Sequence, residues 1–299
     1  MSYFVFLISI LIMYIAMATV LHLQFGVAGI VNFGFVGFWG FGMYVFAVLL
    51  LQYSVPYFLA MAIATVLTGL LAWLLGKLIL DLDSQSILVA TLAFATVVQY
   101  LVMTEKWLTR GVVGIGSVPF PVDVGRYSDL AYLLILILVA GGLIWYAYRL
   151  ERSPYGRLLL GIQDNEVLTR SLGKYTSREK LVFFTVTSAV IGFLGALNAG
   201  GVHFLVPRMV GPGVTFTVWI ALVLGGRRHI LGGLVGTVAT VGVFDIIVET
   251  FVPIPTAAAQ LVPVIKLMLY GLLLILVFMF KPLGIFGSSR RRSAEQAES

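Results

Sequence analysis

The feature that most constrains this 299-residue chain is a series of nine mostly apolar runs, each close to the length that crosses a bilayer. They cover residues 3–23, 25–51, 57–76, 87–103, 130–148, 181–202, 214–224, 231–251 and 261–280. A helix of about 20 apolar residues spans the hydrocarbon core, so each run is a candidate transmembrane helix. The second run is long and the seventh short. Hydrophobic residues make up 60% of the chain and charged residues 11%, whereas a soluble globule has about half and about a quarter. The expected fold class is therefore all-α: a polytopic membrane helix bundle of about nine spans, with an irregular, glycine-rich second span.

The net charge of +6 does not point to nucleic acid, because the basic residues stand in short loops between apolar runs. There they report topology. Lys77, the seven basic residues of 149–180, the pair Arg227–Arg228 and the tail with Lys281 and Arg290, Arg291 and Arg292 make fourteen on one side. Lys106, Arg110, Arg126 and Arg208 make four on the other, and Lys266 lies within the last run. Lys and Arg accumulate on the cytoplasmic side, which places segment 149–180 and the C-terminus there; nine spans then put the N-terminus outside. Ala16-Met17-Ala18 has the look of a cleavage site, but no Lys or Arg precedes the first run, so a retained first span is expected. The expected division is an N-terminal membrane half over 1–148, a cytoplasmic segment over 149–180, a C-terminal membrane half over 181–280 and a basic, disordered tail over 281–299.

Segment 149–180 is the one long polar stretch between membrane blocks and carries 11 of the 32 charges. Ser153-Pro154 starts a helix, since serine caps free amides and proline suits the first helical position. Leu158, Leu159 and Ile162 supply its apolar side. Asp164 or Asn165 caps a second short helix containing Glu166, with Leu168 and Leu172 on one face, Arg170 between them and Gly173 ending it. Thr176 and Glu179 fit a capping box for the next span. Two short helices with apolar faces outside the bilayer need a surface to cover, which favours docking over a plain connector.

Gly26, Gly29, Gly34, Gly37, Gly40 and Gly42 surround Asn32 in the second run. Two readings stand side by side: close helix packing on small residues, or a broken helix whose backbone lines a path. Gly232, Gly236 and Thr240, spaced by four, form a second packing face. Asp245 and Glu249 follow in the same run, and carboxylates within a span normally face the bundle interior or water. Asp245 is read as a structural ion pair with Lys266, as a substrate contact, or as part of a proton relay.

No motif for chemistry is present. Gly76-Lys77 has the wrong spacing for a phosphate loop and is followed by Leu78. His22, His203 and His229 lack metal-ligand spacing, there is no cysteine, and no catalytic serine pattern is found.

Four stretches together resemble the permease subunits of ABC importers for branched-chain amino acids, the LivH/LivM family, which includes urea-importer permeases. They are Gly29-Ile30-Val31-Asn32-Phe33-Gly34 with Gly37-Phe38, Gly40, Gly42 and Tyr44; Ser153-Pro154-Tyr155-Gly156-Arg157 through Asp164-Asn165-Glu166 to Arg170-Ser171-Leu172-Gly173; Gly225-Gly226 with Gly232, Gly233 and Gly236; and Lys281-Pro282-Leu283-Gly284-Ile285-Phe286-Gly287. The second is the most specific and leans toward the LivM branch. Leu168-Thr169 replaces the usual paired alanines, and Arg227-Arg228-His229 replaces a glycine-containing turn. The resemblance implies a non-catalytic subunit without cofactor or metal. Its implied partners are a second similar permease, two cytoplasmic ATP-binding subunits that hold ATP and magnesium, and an extracytoplasmic solute-binding protein. It further implies that Asp164, Glu166, Leu168, Arg170, Leu172 and Gly173 form the coupling helix. Gly29, Asn32, Gly34, Gly37 and Asp245 are the candidates for lining the path. The rival class is an ion-coupled transporter using Asp245, Glu249 and Lys266.

Overall fold

The computed structural model describes residues 3–247, apart from Asp123, Arg227 and Arg228, together with Met268, Leu272, Ile275 and Met279. Its main elements are α1 (Tyr3–Leu21), which continues as a π-helical stretch (His22–Val27), α2 (Phe35–Leu51), α3 (Tyr57–Ile79), α4 (Ser84–Thr104), a single turn α5 (Lys106–Thr109) and α6 (Ser128–Arg152). They are followed by α7 (Pro154–Asp164), α8 (Glu166–Ser171), α9 (Thr176–Val202), α10 (Pro212–Gly225) and α11 (Ile230–Thr237), which passes into a second π-helical stretch (Val238–Ile247). Two short strands, β1 (Ile115–Gly116) and β2 (Phe204–Leu205), pair antiparallel with Ile115 opposite Leu205.

Five helices are long and apolar enough to cross a membrane: Tyr3–Val27, Tyr57–Ile79, Ser84–Thr104, Gly125–Arg152 and Thr176–Val202. Three shorter apolar helices, Phe35–Leu51, Pro212–Gly225 and Ile230–Gly242, complete the described bundle. The ninth run lies outside the described residues apart from four positions. The expected loop at His22 to Phe25 is absent, because α1 runs on through Val27. The long second span is instead interrupted over 28–34, leaving α2 at 17 residues, or about 26 Å of helix.

The core is organised around α9, which lies along both α2 and α3. Small residues make this approach possible. Gly42 of α2 meets the backbone of Gly192, Gly192 meets Thr68 of α3, and Gly195 meets the carbonyl of Trp39. Without a hydrophobic drive between helices in lipid, such backbone-to-backbone packing is what holds spans together. The expected small face of the eighth run does the same work: Gly232 packs on Gly225 and Gly226, and Gly236 on the carbonyl of Ala221, closing α10 against α11. Thr240 is buried and donates to the carbonyl of Gly236 at 2.8 Å.

The two ends of the bundle differ. One carries the ribbon of β1 and β2, with Gln52 donating to the carbonyl of Leu108 at 2.6 Å. The other carries α7 and α8. There buried His22 of the first π-helical stretch meets Glu151 of α6 at 2.5 Å. Lys77 lies over Trp73 at 3.9 Å and Arg152 over Tyr148 at 4.0 Å, pairings suited to a membrane interface. His229, expected at a charged rim, accepts from the amide of Leu231 at 3.2 Å and so caps α11.

A methyl group at Gly195 would collide with the Trp39 carbonyl, whereas one at Gly141 meets nothing within 4 Å. Gly195→Ala is expected to cost about 1–3 kcal/mol, as overpacking does. Thermal unfolding in detergent checks this: Gly195→Ala lowers the midpoint and Gly141→Ala leaves it unchanged.

Candidate functional site

Two features with functional potential meet at one end of the bundle: the interruption at 28–34 and the pair α7–α8. The interruption turns at Gly29, whose φ of +71° is a conformation that side chains with a Cβ rarely adopt. A chain that leaves helical geometry inside a membrane bundle must find partners for its backbone amides and carbonyls. Here side chains supply them. Thr91 of α4 accepts from the Phe33 amide at 3.0 Å, Thr215 of α10 accepts from the Val36 amide at 3.3 Å, and Trp219 Nε1 donates to the Asn32 carbonyl at 3.1 Å. The Trp219 ring stacks on Phe33 at 4.5 Å between centroids and tilts against Phe25 at 4.7 Å.

Beneath the turn lies a fully buried polar knot. Asn32 Nδ2 donates to Gln24 Oε1 at 2.9 Å, and Gln24 Nε2 donates to Thr187 Oγ1 at 2.9 Å and Ser188 Oγ at 3.2 Å on α9. Asn32 Oδ1 is buried and has no hydrogen-bond partner among the described residues. Such an orphan acceptor costs roughly 1–3 kcal/mol, so Asn32 is held by the knot against an energetic penalty.

The glycines expected near the path sit at helix contacts. Gly34 packs on the backbone of Thr91, Gly37 on Ala95 and Phe94, and Gly40 on Val210. Close packing and a broken span thus occur together. Asp245 falls in the second π-helical stretch. Its side chain, together with Glu249 and Lys266, lies outside the described residues.

In the polar segment, Ser153 accepts from the Gly156 amide at 2.9 Å and Pro154 opens α7. Leu159 and Ile162 are buried and Leu158 is half-buried, the apolar side expected of this helix. Asn165, rather than Asp164, caps α8 by accepting from the Leu168 amide at 2.9 Å. Gly173 follows with φ of +79°, its amide donating to the Arg170 carbonyl at 3.0 Å. A Cβ there would meet nothing within 4 Å, so backbone conformation rather than space requires glycine. Val167, Leu168 and Leu172 are 76%, 59% and 74% exposed.

The expected capping box of Thr176 and Glu179 does not form. Thr176 is the first residue of α9, and no side chain caps that helix. Glu166 takes the threonine instead, accepting from Thr176 Oγ1 at 3.1 Å, Lys180 Nζ at 2.5 Å and Arg170 Nη2 at 3.2 Å. Partial burial works to raise the Glu166 carboxyl pKa, but the hydrogen bond and charge of Lys180, with Thr176 and Arg170, outweigh it and hold it below the usual range. Glu179 hydrogen-bonds Tyr155, whose hydroxyl pKa is pushed up to about 12 by burial and then by that carboxylate.

Sequence reasoning did not single out Gln24, Gln163, Thr187, Ser188 or Trp219. Gln163 Nε2 of α7 donates to the Phe25 carbonyl at 3.1 Å. The available signal was an uncharged polar residue inside or beside an apolar run, since such a group needs a partner in the membrane. Among the described residues, no group of His, Cys, Asp and Glu side chains has the geometry to hold a metal ion.

The lowered Glu166 pKa gives a pH dependence. A carboxyl with a depressed folded-state pKa contributes stability above its unfolded pKa and loses it as pH falls through the folded value. The α8–α9 contact should therefore hold from neutral pH down past the ordinary glutamate value of about 4.3 and loosen only below it. Hydrogen exchange of residues 166–172 measured against pH checks this, and Glu166→Gln should show faster exchange already at pH 7.

A family model described as the permease component of branched-chain amino acid transport systems matches residues 3–278. The high-affinity branched-chain amino acid transport system permease protein LivM of Escherichia coli K12 is 29% identical over 244 residues, which is 73% of this chain and 57% of that protein. A probable branched-chain amino acid transport permease protein LivM of Methanocaldococcus jannaschii is 22% identical over 168 residues, 54% of this chain and 48% of that protein. The autoinducer 2 import system permease protein LsrC of Klebsiella pneumoniae is 30% identical over 128 residues, 43% of this chain and 35% of that protein. This chain thus spans a little over half the length of the LivM relative from Escherichia coli. No solved structure matches it. With the match running over 3–278, the chain belongs to the family of permease components of branched-chain amino acid transport systems.

Proposed function

We propose that this chain is a membrane-spanning, non-catalytic subunit of an ATP-driven importer that carries branched-chain amino acids across the cytoplasmic membrane of a bacterium or archaeon. Its partners are a second similar permease, two cytoplasmic ATP-binding subunits that hold ATP and magnesium, and an extracytoplasmic solute-binding protein. The permease names of its relatives support the solute class. The excess of Lys and Arg supports a cytoplasmic location for α7, α8 and the C-terminus.

The observation that carries this reading is α8. A helix of only 6 residues keeps its shape here through the Asn165 cap, the Gly173 turn and the Glu166 contacts. It nonetheless presents Val167, Leu168 and Leu172 to the outside. Rigid presentation of apolar side chains beyond the membrane is what an ATPase groove needs to grip. Asp164, Glu166 and Arg170 supply the polar contacts of that docking and Leu168 and Leu172 the apolar ones. Closure of the ATPase pair then shifts α8, tilts the spans and alternates access to a path lined from Gly29, Asn32, Gly34, Gly37 and Asp245.

Purification in mild detergent from the native membrane tests the class. Two ATPase subunits and a second permease are expected to accompany the tagged chain. Recovery of this chain alone, with uptake that survives ATP depletion and collapses with an uncoupler, would instead establish the ion-coupled transporter of Asp245, Glu249 and Lys266. Within the importer, Gly173→Pro is expected to abolish uptake at unchanged membrane level, because proline cannot adopt the positive φ that ends α8. Normal uptake by that variant would defeat the coupling role.

A further inference from the structure

The segment bearing α8 does not end its influence at the membrane surface. Gln163, one residue before the end of α7, reaches into the bundle and donates from Nε2 to the Phe25 carbonyl at 3.1 Å. That carbonyl lies in the π-helical stretch just before the chain leaves helical geometry, where helix-end carbonyls require donors from outside the helix. The same side chain rests on bare backbone at the turn. A Cβ built on Gly29 would lie 2.9 Å from Gln163 Cγ and 3.3 Å from its Cβ. Gln163 Oε1 is buried with no partner among the described residues. One side chain therefore holds the Phe25 carbonyl and packs on the Gly29 backbone.

A second connection reaches the same turn from the opposite side. Glu166 of α8 is bonded to Thr176 and Lys180, in the first two turns of α9. About two turns beyond Lys180 along that helix, Thr187 and Ser188 hold Gln24, which holds Asn32. The turn between Val27 and Phe35 is thus gripped by α7 directly and by α8 through α9. A displacement of the coupling segment acts on it from both sides.

We propose that Gln163 is a positioning residue of the transport cycle, tying movement of α7 and α8 directly to the broken span at 28–34, so that this turn changes conformation in step with the ATPase subunits. This rests on the importer reading above. It differs from a general tilting of spans in naming the contact that moves and the element it moves.

The chain contains no cysteine, so a pair can be introduced alone. A separation of 3.3 Å between the built Gly29 Cβ and Gln163 Cβ is close to the roughly 3.5–4.5 Å of a disulfide. In the complete complex, reconstituted in liposomes with its binding protein, the Gly29→Cys/Gln163→Cys variant is expected to crosslink on oxidation with copper phenanthroline. ATP-driven uptake should then fall about tenfold or more relative to the same protein reduced, within the range that a coupling contact commands, and recover with dithiothreitol. Gln163→Ala, which adds no strain at Gly29, is expected to lower solute transported per ATP hydrolysed while leaving membrane level and partner recovery unchanged. A residue that only supports folding would lower level and uptake together. Absence of a crosslink, equal uptake in oxidised and reduced protein, or a wild-type ratio of transport to hydrolysis in Gln163→Ala would overturn the proposal. Failure of ATPase subunits to co-purify would overturn the importer reading instead.

Discussion

The structure depends on how a broken helix satisfies its backbone inside a membrane bundle. Residues 28–34 lack regular hydrogen bonding, and hydrocarbon offers no water to replace it. Thr91, Thr215, Trp219 and the Gln24–Asn32 pair supply partners from α4, α10 and the first π-helical stretch, and Thr187 and Ser188 extend the knot to α9. Four separate elements must therefore be correctly placed before the turn is stable. That requirement makes the turn a reporter of the whole bundle's arrangement, and it explains why rotation of any one of these helices must be felt there.

Close approach of α9 to its neighbours is the second condition. Gly42, Gly192 and Gly195 remove side chains where α2, α3 and α9 meet, so these helices touch backbone to backbone. Dispersion between closely packed surfaces replaces the hydrophobic drive that lipid cannot provide. Because α9 begins at the Glu166 contact and passes the polar knot, the same helix that organises the core joins the polar segment to the broken span.

The α7–α8 pair shows a different economy of charge. Glu166 gathers a hydroxyl, an ammonium and a guanidinium, leaving α9 without a side-chain cap at its own start. A capping hydrogen bond within one helix is given up for a contact between two. The result fixes the orientation of a helix too short to persist by itself, while Leu168 and Leu172 remain exposed on it.

Much of this was legible in the chain. The apolar runs, the caps at Ser153 and Asn165, the turn at Gly173 and the small faces at Gly232 and Gly236 are local signals, because each depends on spacing within one helix or on its immediate ends. The length of α1, the placing of the break at 28–34 and the loss of the Thr176 capping box were not. The partnerships of Gln24 with α9, of Gln163 with Gly29 and of His22 with Glu151 join residues 129 to 164 positions apart or come from separate elements. Sequence alone determined that the chain must be a helical membrane bundle with one structured polar segment, since burial of backbone amides in lipid leaves no other use for such runs and helix ends obey local chemistry. Only the tertiary structure decided where the second span breaks and what grips it, because those choices are made by hydrogen bonds and backbone contacts between helices remote in the chain.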